Sequence, residues 1–302
     1  MTKRARFGYF LRKALVFLTL YLISCIVVDG IGLGVLWLRG YDVFHGDLPR
    51  GPIIDLIPSY SFIGYVLIYF IYIKYVAHEK FEDLKMSVNK KEIVKFLVGI
   101  LVGVLLILII VGGIVAFGAF KFAGFKKVSV LMTILTFGAV FVRATTIEIM
   151  CRGYLQNVLN RKMSVGAAMI VSAFAFLIPS IAPLIGLSIP VMIMAVYNLF
   201  LVSIMYSMIM VKFNSMWVSA GIHVGWNYFM AFVLDLPMAG TNYSGGLVNF
   251  EYISNDIILT GGRYGITASM VMTGVLLIID LFLIRDVITK DDKKRMMFSA
   301  KA

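Results

Sequence analysis

Long apolar runs decide what this chain can become. A helix needs about 20 apolar residues to cross the hydrocarbon core of a bilayer. Stretches of that kind recur at roughly 14–37, 56–76, 93–117, 128–150, 165–185, 188–211, 216–235 and 266–285. Strands of a membrane barrel alternate apolar and polar residues, so unbroken runs point to helices. The chain is 61% hydrophobic and 15% charged, whereas a soluble domain is about half apolar and about a quarter charged. The expected fold is an all-α polytopic membrane protein with about eight transmembrane helices. Pro179, Pro183 and Pro190 cluster where the fifth run meets the sixth, a place for a broken or re-entrant segment.

A net charge of +12 raises the question of nucleic acid. The basic residues argue against it, because they gather in short segments between the apolar runs, as membrane topology requires. One side collects Lys3, Arg4, Arg6, Arg12 and Lys13, then Lys74, Lys80, Lys85, Lys90, Lys91 and Lys95. It also collects Arg152, Arg161, Lys162 and Lys212, and the tail with Arg285, Lys290, Lys293, Lys294, Arg295 and Lys301. The other side holds Arg39, Arg50, Lys121, Lys126, Lys127 and Arg263. The positive-inside rule places both termini in the cytoplasm, N-in and C-in. Cys25 and Cys151 fall in or beside apolar runs and form no C-x-x-C motif.

Ionisable groups are costly in a bilayer, so each is a candidate for function. Glu148 and Arg152 stand one turn apart in the fourth run, and His223 and Asn227 have the same spacing in the seventh. The plain structural reading is an ion pair in the first case and a helix–helix hydrogen bond in the second. The functional reading is a polar site in which a histidine serves as base, acid or oxyanion donor and an asparagine completes an oxyanion pocket. The orientation brings both pairs to similar depth near the cytoplasmic face. Asp29, Arg143 and Asp280 also lie within runs and read as scattered structural charges, with Arg143 a candidate counter-ion for one of the acids.

The stretch Glu148-Ile-Met-Cys-Arg152-Gly-Tyr-Leu-Gln-Asn resembles the first motif of the CPBP family, the CAAX prenyl protease and bacteriocin-processing (Abi-type) membrane proteins. That motif is E-E-x-x-x-R, commonly continued as G-Y-L-Q. His223-Val-Gly-Trp-Asn227 resembles the family's last motif, H-x-x-x-N, in its bacterial form H-x-G-W-N. The resemblance implies a glutamate-dependent intramembrane endopeptidase in a bacterial plasma membrane. On this basis the chain divides into three parts. Residues 1–127 carry three spans and a cytoplasmic amphipathic segment, Glu79–Glu92. Residues 128–235 are a CPBP-like core, and residues 236–302 hold an external loop, the last span and a basic tail.

In that family the first Glu of motif one and the His of motif two are understood to activate water, and the last motif's His and Asn to stabilise the oxyanion. This chain departs from the pattern at both water-activating positions. Ile147 stands at the first Glu. Motif two, F-x-x-x-H, maps either onto Phe176 and Ser180 or onto Phe174 and Ile178, and neither register holds a histidine. A general acid–base group contributes about 10²–10⁴ in rate, so impaired catalysis is expected. The resemblance puts Glu148, His223 and Asn227 in the catalytic role, with Arg152, Ser180 and Ile147 around them. It implies no metal and no cofactor. The expected partners are membrane lipid and a peptide or membrane-protein substrate, with no nucleic acid. The competing readings are a non-catalytic scaffold or regulator that binds a membrane protein, and a small-solute transporter.

Overall fold

The computed structural model describes residues 3–45, 49, 51–238 and 246–299; for Lys3 and 291–299 the description is of the backbone alone. Arg50 and Lys301, both part of the basic pattern, lie outside the described residues, as does 239–245 of the late loop. Among the described residues, five helices are long and apolar enough to cross a membrane: α1 (Arg4–Leu38), α2 (Ile54–Val76), α3 (Lys90–Ala116), α4 (Val130–Asn160) and α6 (Ile189–Phe213). Between α4 and α6 lies α5 (Val165–Leu177). After α6 come α7 (Met216–Tyr228), prolonged by the wide turn Phe229–Val233, and α8 (Met270–Ser299).

The fifth apolar run is not one helix. From Ile178 the chain passes through two tight helical turns at Pro179 and Pro183 and a left-handed Gly186 before α6 starts beside Pro190. Proline removes a backbone donor and clashes with the preceding turn, which ends α5 there. A second departure from the all-α expectation is a two-stranded antiparallel sheet of β1 (Phe120–Phe125) and β2 (Val248–Tyr252), with Phe120 opposite Tyr252 and a bulge at Phe122/Gly124. Both segments alternate, Phe-Lys-Phe and Val-Asn-Phe-Glu-Tyr, which is the period of a strand.

Two parallel helix pairs frame the site. In the first, Gly99 and Gly103 of α3 face Gly221 and Gly225 of α7. A Cβ at Gly221 would fall 2.1 Å from the Phe96 carbonyl oxygen, and one at Gly225 would fall 2.3 Å from that of Ile100. Backbone cannot yield, so only glycine permits this approach, the small-xxx-small packing of membrane helices. The same two helices are tied at their N-termini. Asn89 caps α3 by accepting from the Lys91 and Glu92 amides, Ser215 caps α7 by accepting from the Trp217 amide, and the Ser215 hydroxyl donates to Glu92. In the second pair, α6 lies against α8. Asn198 donates to the Thr267 and Ser269 carbonyls at 2.9 Å and accepts from Thr273 at 2.7 Å. Further along the same two helices Lys212 pairs with Asp286 at 3.0 Å.

Burial is uneven. Residues 144–159 of α4 are buried without interruption, while α1 and α3 expose many large apolar side chains, among them Ile26, Ile31, Leu101 and Leu105. The packed core therefore gathers around α4, with apolar outer faces left for lipid.

A buried ionic cluster beside a small cavity

Where α4 reaches Ile149 its winding widens to a π-helix that runs to Gln156. Such widened turns are uncommon and concentrate at functional sites. Glu148, the last residue before it, is fully buried, as is Arg152. Glu148 Oε1 accepts from Arg152 Nη1 at 3.2 Å and from His223 Nδ1 at 3.1 Å. Arg152 Nη2 donates to the carbonyl and the hydroxyl of Ser203 on α6, at 2.7 and 2.5 Å. One turn on, Gln156 donates to the Ser207 carbonyl at 3.3 Å. The guanidinium is held between two rings, 4.7 Å from the centre of Phe176 and 5.5 Å from that of Tyr206, a cation–π arrangement that suits a desolvated arginine. His223 stacks on Tyr206 at 5.2 Å.

This geometry assigns the histidine tautomer. An ionised carboxylate only accepts, so Nδ1 carries the proton and Nε2 is left as an acceptor. Glu148 Oε2 and Arg152 Nε have no hydrogen-bond partner among the described residues.

His223 also lines a cavity of about 60 Å³. Its other walls include Arg143 and Ile147 from α4, Ser180 from the turn after α5, Asn227 from α7 and Thr267. Glu148 is not among them. It stands behind His223, while Ile147, its neighbour in sequence, faces the cavity. The space suffices for a few waters, each of which needs roughly 10–15 Å³ of probe volume.

Most of the residues singled out in the sequence therefore meet. Glu148, Arg152 and His223 form one bonded cluster, and Ile147, Ser180, His223 and Asn227 share one cavity. Of the two registers for motif two, Phe176 and Ser180 lie at the site, whereas Phe174 is exposed. The other membrane charges divide. Asp29 accepts from the Tyr65 hydroxyl. Neither oxygen of buried Asp280 has a hydrogen-bond partner among the described residues. Arg143 joins no carboxylate among them; its guanidinium lies 5.5 Å from the Phe62 ring.

Residues that sequence reading passed over also build the site. Ser203, Ser207 and Tyr206 carried no motif, and only contact with α4 reveals them. The glycine spacings 99/103 and 221/225 were a readable signal. The segment Glu79–Glu92 is a loop up to Asn89, anchored by buried Leu84 and Met86. Leu84 accepts from Asn157 at 2.8 Å, Ser87 accepts from Trp217 Nε1 at 2.7 Å, and Glu79 holds Arg161 through two bonds of 2.8 Å. Those bonds raise the Arg161 pKa above its ordinary value, so this anchor keeps its positive charge at any working pH.

Apolar helices of spanning length around a buried ionic site make this a multi-pass membrane protein. Residues 129–229, which carry both polar pairs, match the family model of type II CAAX prenyl endopeptidases, described as Rce1-like. The match spans a third of the chain and places that segment in line with the CPBP/CAAX protease resemblance. A comparison with curated proteins found no match.

Proposed function

We propose that this protein is a CAAX-protease-like membrane protein whose site receives a peptide or a segment of a membrane protein but hydrolyses it poorly. One observation carries the reading: Ile147 and Ser180 occupy the cavity wall beside His223 and Asn227, at the positions where the family resemblance expects a glutamate and a histidine. Among the described residues, no carboxylate lines that wall. Without a base, attack by water loses the 10²–10⁴-fold that such a group typically supplies. A recess of about 700 Å³ between the 77–89 loop, Ile149 and Trp217, walled by Phe70, Phe81 and Met86, offers the apolar concavity with a few polar groups that a bound chain requires.

The helix directions support an eight-span arrangement with both termini in the cytoplasm of a bacterial plasma membrane. In such a meander spans three and seven run the same way, as α3 and α7 do, and spans six and eight run together, as α6 and α8 do. The site then lies towards the cytoplasmic side, and a partner reaches it from there.

A second reading rests on the 3.1 Å contact between Glu148 and His223. A carboxylate that fixes Nδ1–H leaves Nε2 free to act as a base towards the cavity. On that reading residual hydrolysis runs through His223. Purified protein incubated with a peptide mixture and analysed by mass spectrometry separates the two. The favoured reading predicts no cleavage above the His223→Ala background, together with retained binding of partners. Vigorous cleavage that His223→Ala abolishes would establish the second.

A further inference from the structure

The β1–β2 sheet has one apolar face. Phe120 stands opposite Tyr252, Phe122 opposite Phe250 and Phe125 opposite Val248. Side chains alternate along a strand, so an uninterrupted β1 would send Phe122 and Phe125 to opposite faces. The bulge between Phe122 and Gly124 takes up the odd residue, and the two rings lie 5.2 Å apart. The opposite face carries Lys121, Glu251 and Asn249. The bundle covers only half of the apolar face. Phe120 and Val248 are buried, whereas Phe122 and Tyr252 are half exposed and Phe125 is 74% exposed. Chain connectivity fixes the height of these rings. Phe120 follows Ala116, the last residue of α3, and Phe125 precedes Val130, the first of α4, so both ends of β1 join membrane-spanning helices. Exposed Phe117 on one side, and Val130 and Leu131 on the other, continue the apolar patch into helix faces left for lipid.

We infer that the sheet is a membrane-surface anchor, lying on the leaflet where α3 ends and α4 begins, with Phe122, Phe125 and Tyr252 set among lipid headgroups and upper acyl chains. Lipid is the occupant because the exposed rings extend lipid-facing surface at a height that two spans impose. The backbone limits the depth. The outer edges of a two-stranded sheet carry unpaired N–H and C=O groups, which hydrocarbon cannot satisfy. The strands therefore stay at headgroup level while the rings dip, as amphipathic elements do to about 5–10 Å. Lys121 then faces water, and exposed Lys127 reaches phosphate level along its apolar stem. The anchor also touches the site-bearing helix. The Leu247 amide donates to the Phe232 carbonyl at 2.9 Å, and Lys126 pairs with Asp235 at 2.6 Å. The sheet thus couples the leaflet to the C-terminal end of α7, which carries His223.

The test reads lipid contact and not hydrolysis, so it stands or falls separately from the proposed function. Full-length protein in phosphatidylcholine nanodiscs carries a nitroxide label at Phe125→Cys on the apolar face or at Lys121→Cys on the polar face. The unsubstituted chain, treated alike, supplies the background from Cys25 and Cys151. Collisions of the label with oxygen, which concentrates in lipid, are compared with collisions with a nickel chelate that stays in water. The anchor predicts an oxygen-to-nickel ratio severalfold higher at 125 than at 121. Should the labelled variants misfold, Phe125→Trp keeps a large ring at the same position. Its added emission, taken against the native protein, should be strongly quenched by phosphatidylcholine brominated high on the acyl chain. Equal, water-like ratios at both positions overturn the inference, because the sheet then stands clear of the membrane. A label at 125 shielded from both colliders overturns it too: protein then covers the face, and dipolar broadening between labels would identify a second copy. Added tryptophan emission that brominated lipid leaves unchanged is equally contrary.

Discussion

On one side of α4, Glu148 and Arg152 are fully buried and bonded to each other, to His223 and to Ser203. On the other side, Arg143 and Ile147 border a cavity, and the arginine has no acidic partner among the described residues. The same helix thus carries a closed cluster bonded within the fold and a cavity wall that includes an arginine. The sides differ in what their charges are for. A charge whose partners are built into the fold serves the fold, and its loss shows as instability. A charge facing an enclosed space serves whatever enters that space. Glu148 and Arg152, which keep the pattern of the motif the sequence resembles, fall on the bonded side. Ile147 of the first motif and Ser180 of the second, the two positions that depart from the pattern, fall on the cavity side.

The contrast breaks first at Glu148. Glu148→Ala strands a buried guanidinium and frees His223, so the unfolding free energy should fall by about 3–5 kcal/mol, readable by denaturant titration in detergent. A loss below about 1 kcal/mol would mean that the cluster is not structural. Gly221→Val pushes a side chain onto the Phe96 carbonyl, and overpacking of this kind costs about 1–3 kcal/mol. It should lower Tm and, because α7 carries His223, disturb the cavity as well. Ser203→Ala removes one of two Arg152 acceptors on α6 while the carbonyl remains, a loss of about 1 kcal/mol. Lys212→Ala, which breaks the exposed pair with Asp286, should change stability by less than about 1 kcal/mol. That order, buried cluster above helix contact above surface pair, sharpens the comparison; a reversed order would undo it.

The helices themselves were legible because bilayer thickness imposes a length that composition reveals directly. The fourth apolar run ends at about residue 150, yet its helix continues to Asn160, because the polar residues after Glu148 are buried against α6 and not exposed at a membrane edge. The fifth run was broken by Pro179 and Pro183, and their clustering already signalled it. The strands β1 and β2 leave little trace in the sequence because they are short alternating segments between strong helical signals. At the site, Glu148, Arg152, His223 and Asn227 stood out as polar residues in apolar surroundings. Ser203 did not, since a serine in a membrane helix is unexceptional until a neighbouring helix supplies an arginine. Nor could spacing alone show that Arg143 shares a cavity with Asn227, because that depends on how α4 and α7 pack through glycine.

The central claim is that the cavity wall, not the buried cluster, limits hydrolysis. Its most direct test compares peptide cleavage by the native protein with cleavage by the triple variant Arg143→Gln, Ile147→Glu and Ser180→His, both in lipid nanodiscs and with the same peptides. Removing Arg143 keeps the new glutamate from being captured by an ion pair. The account predicts background cleavage by the native protein and a gain of about 10²-fold or more in the variant. Native cleavage that equals or exceeds the variant's, and that is lost in His223→Ala, would contradict it.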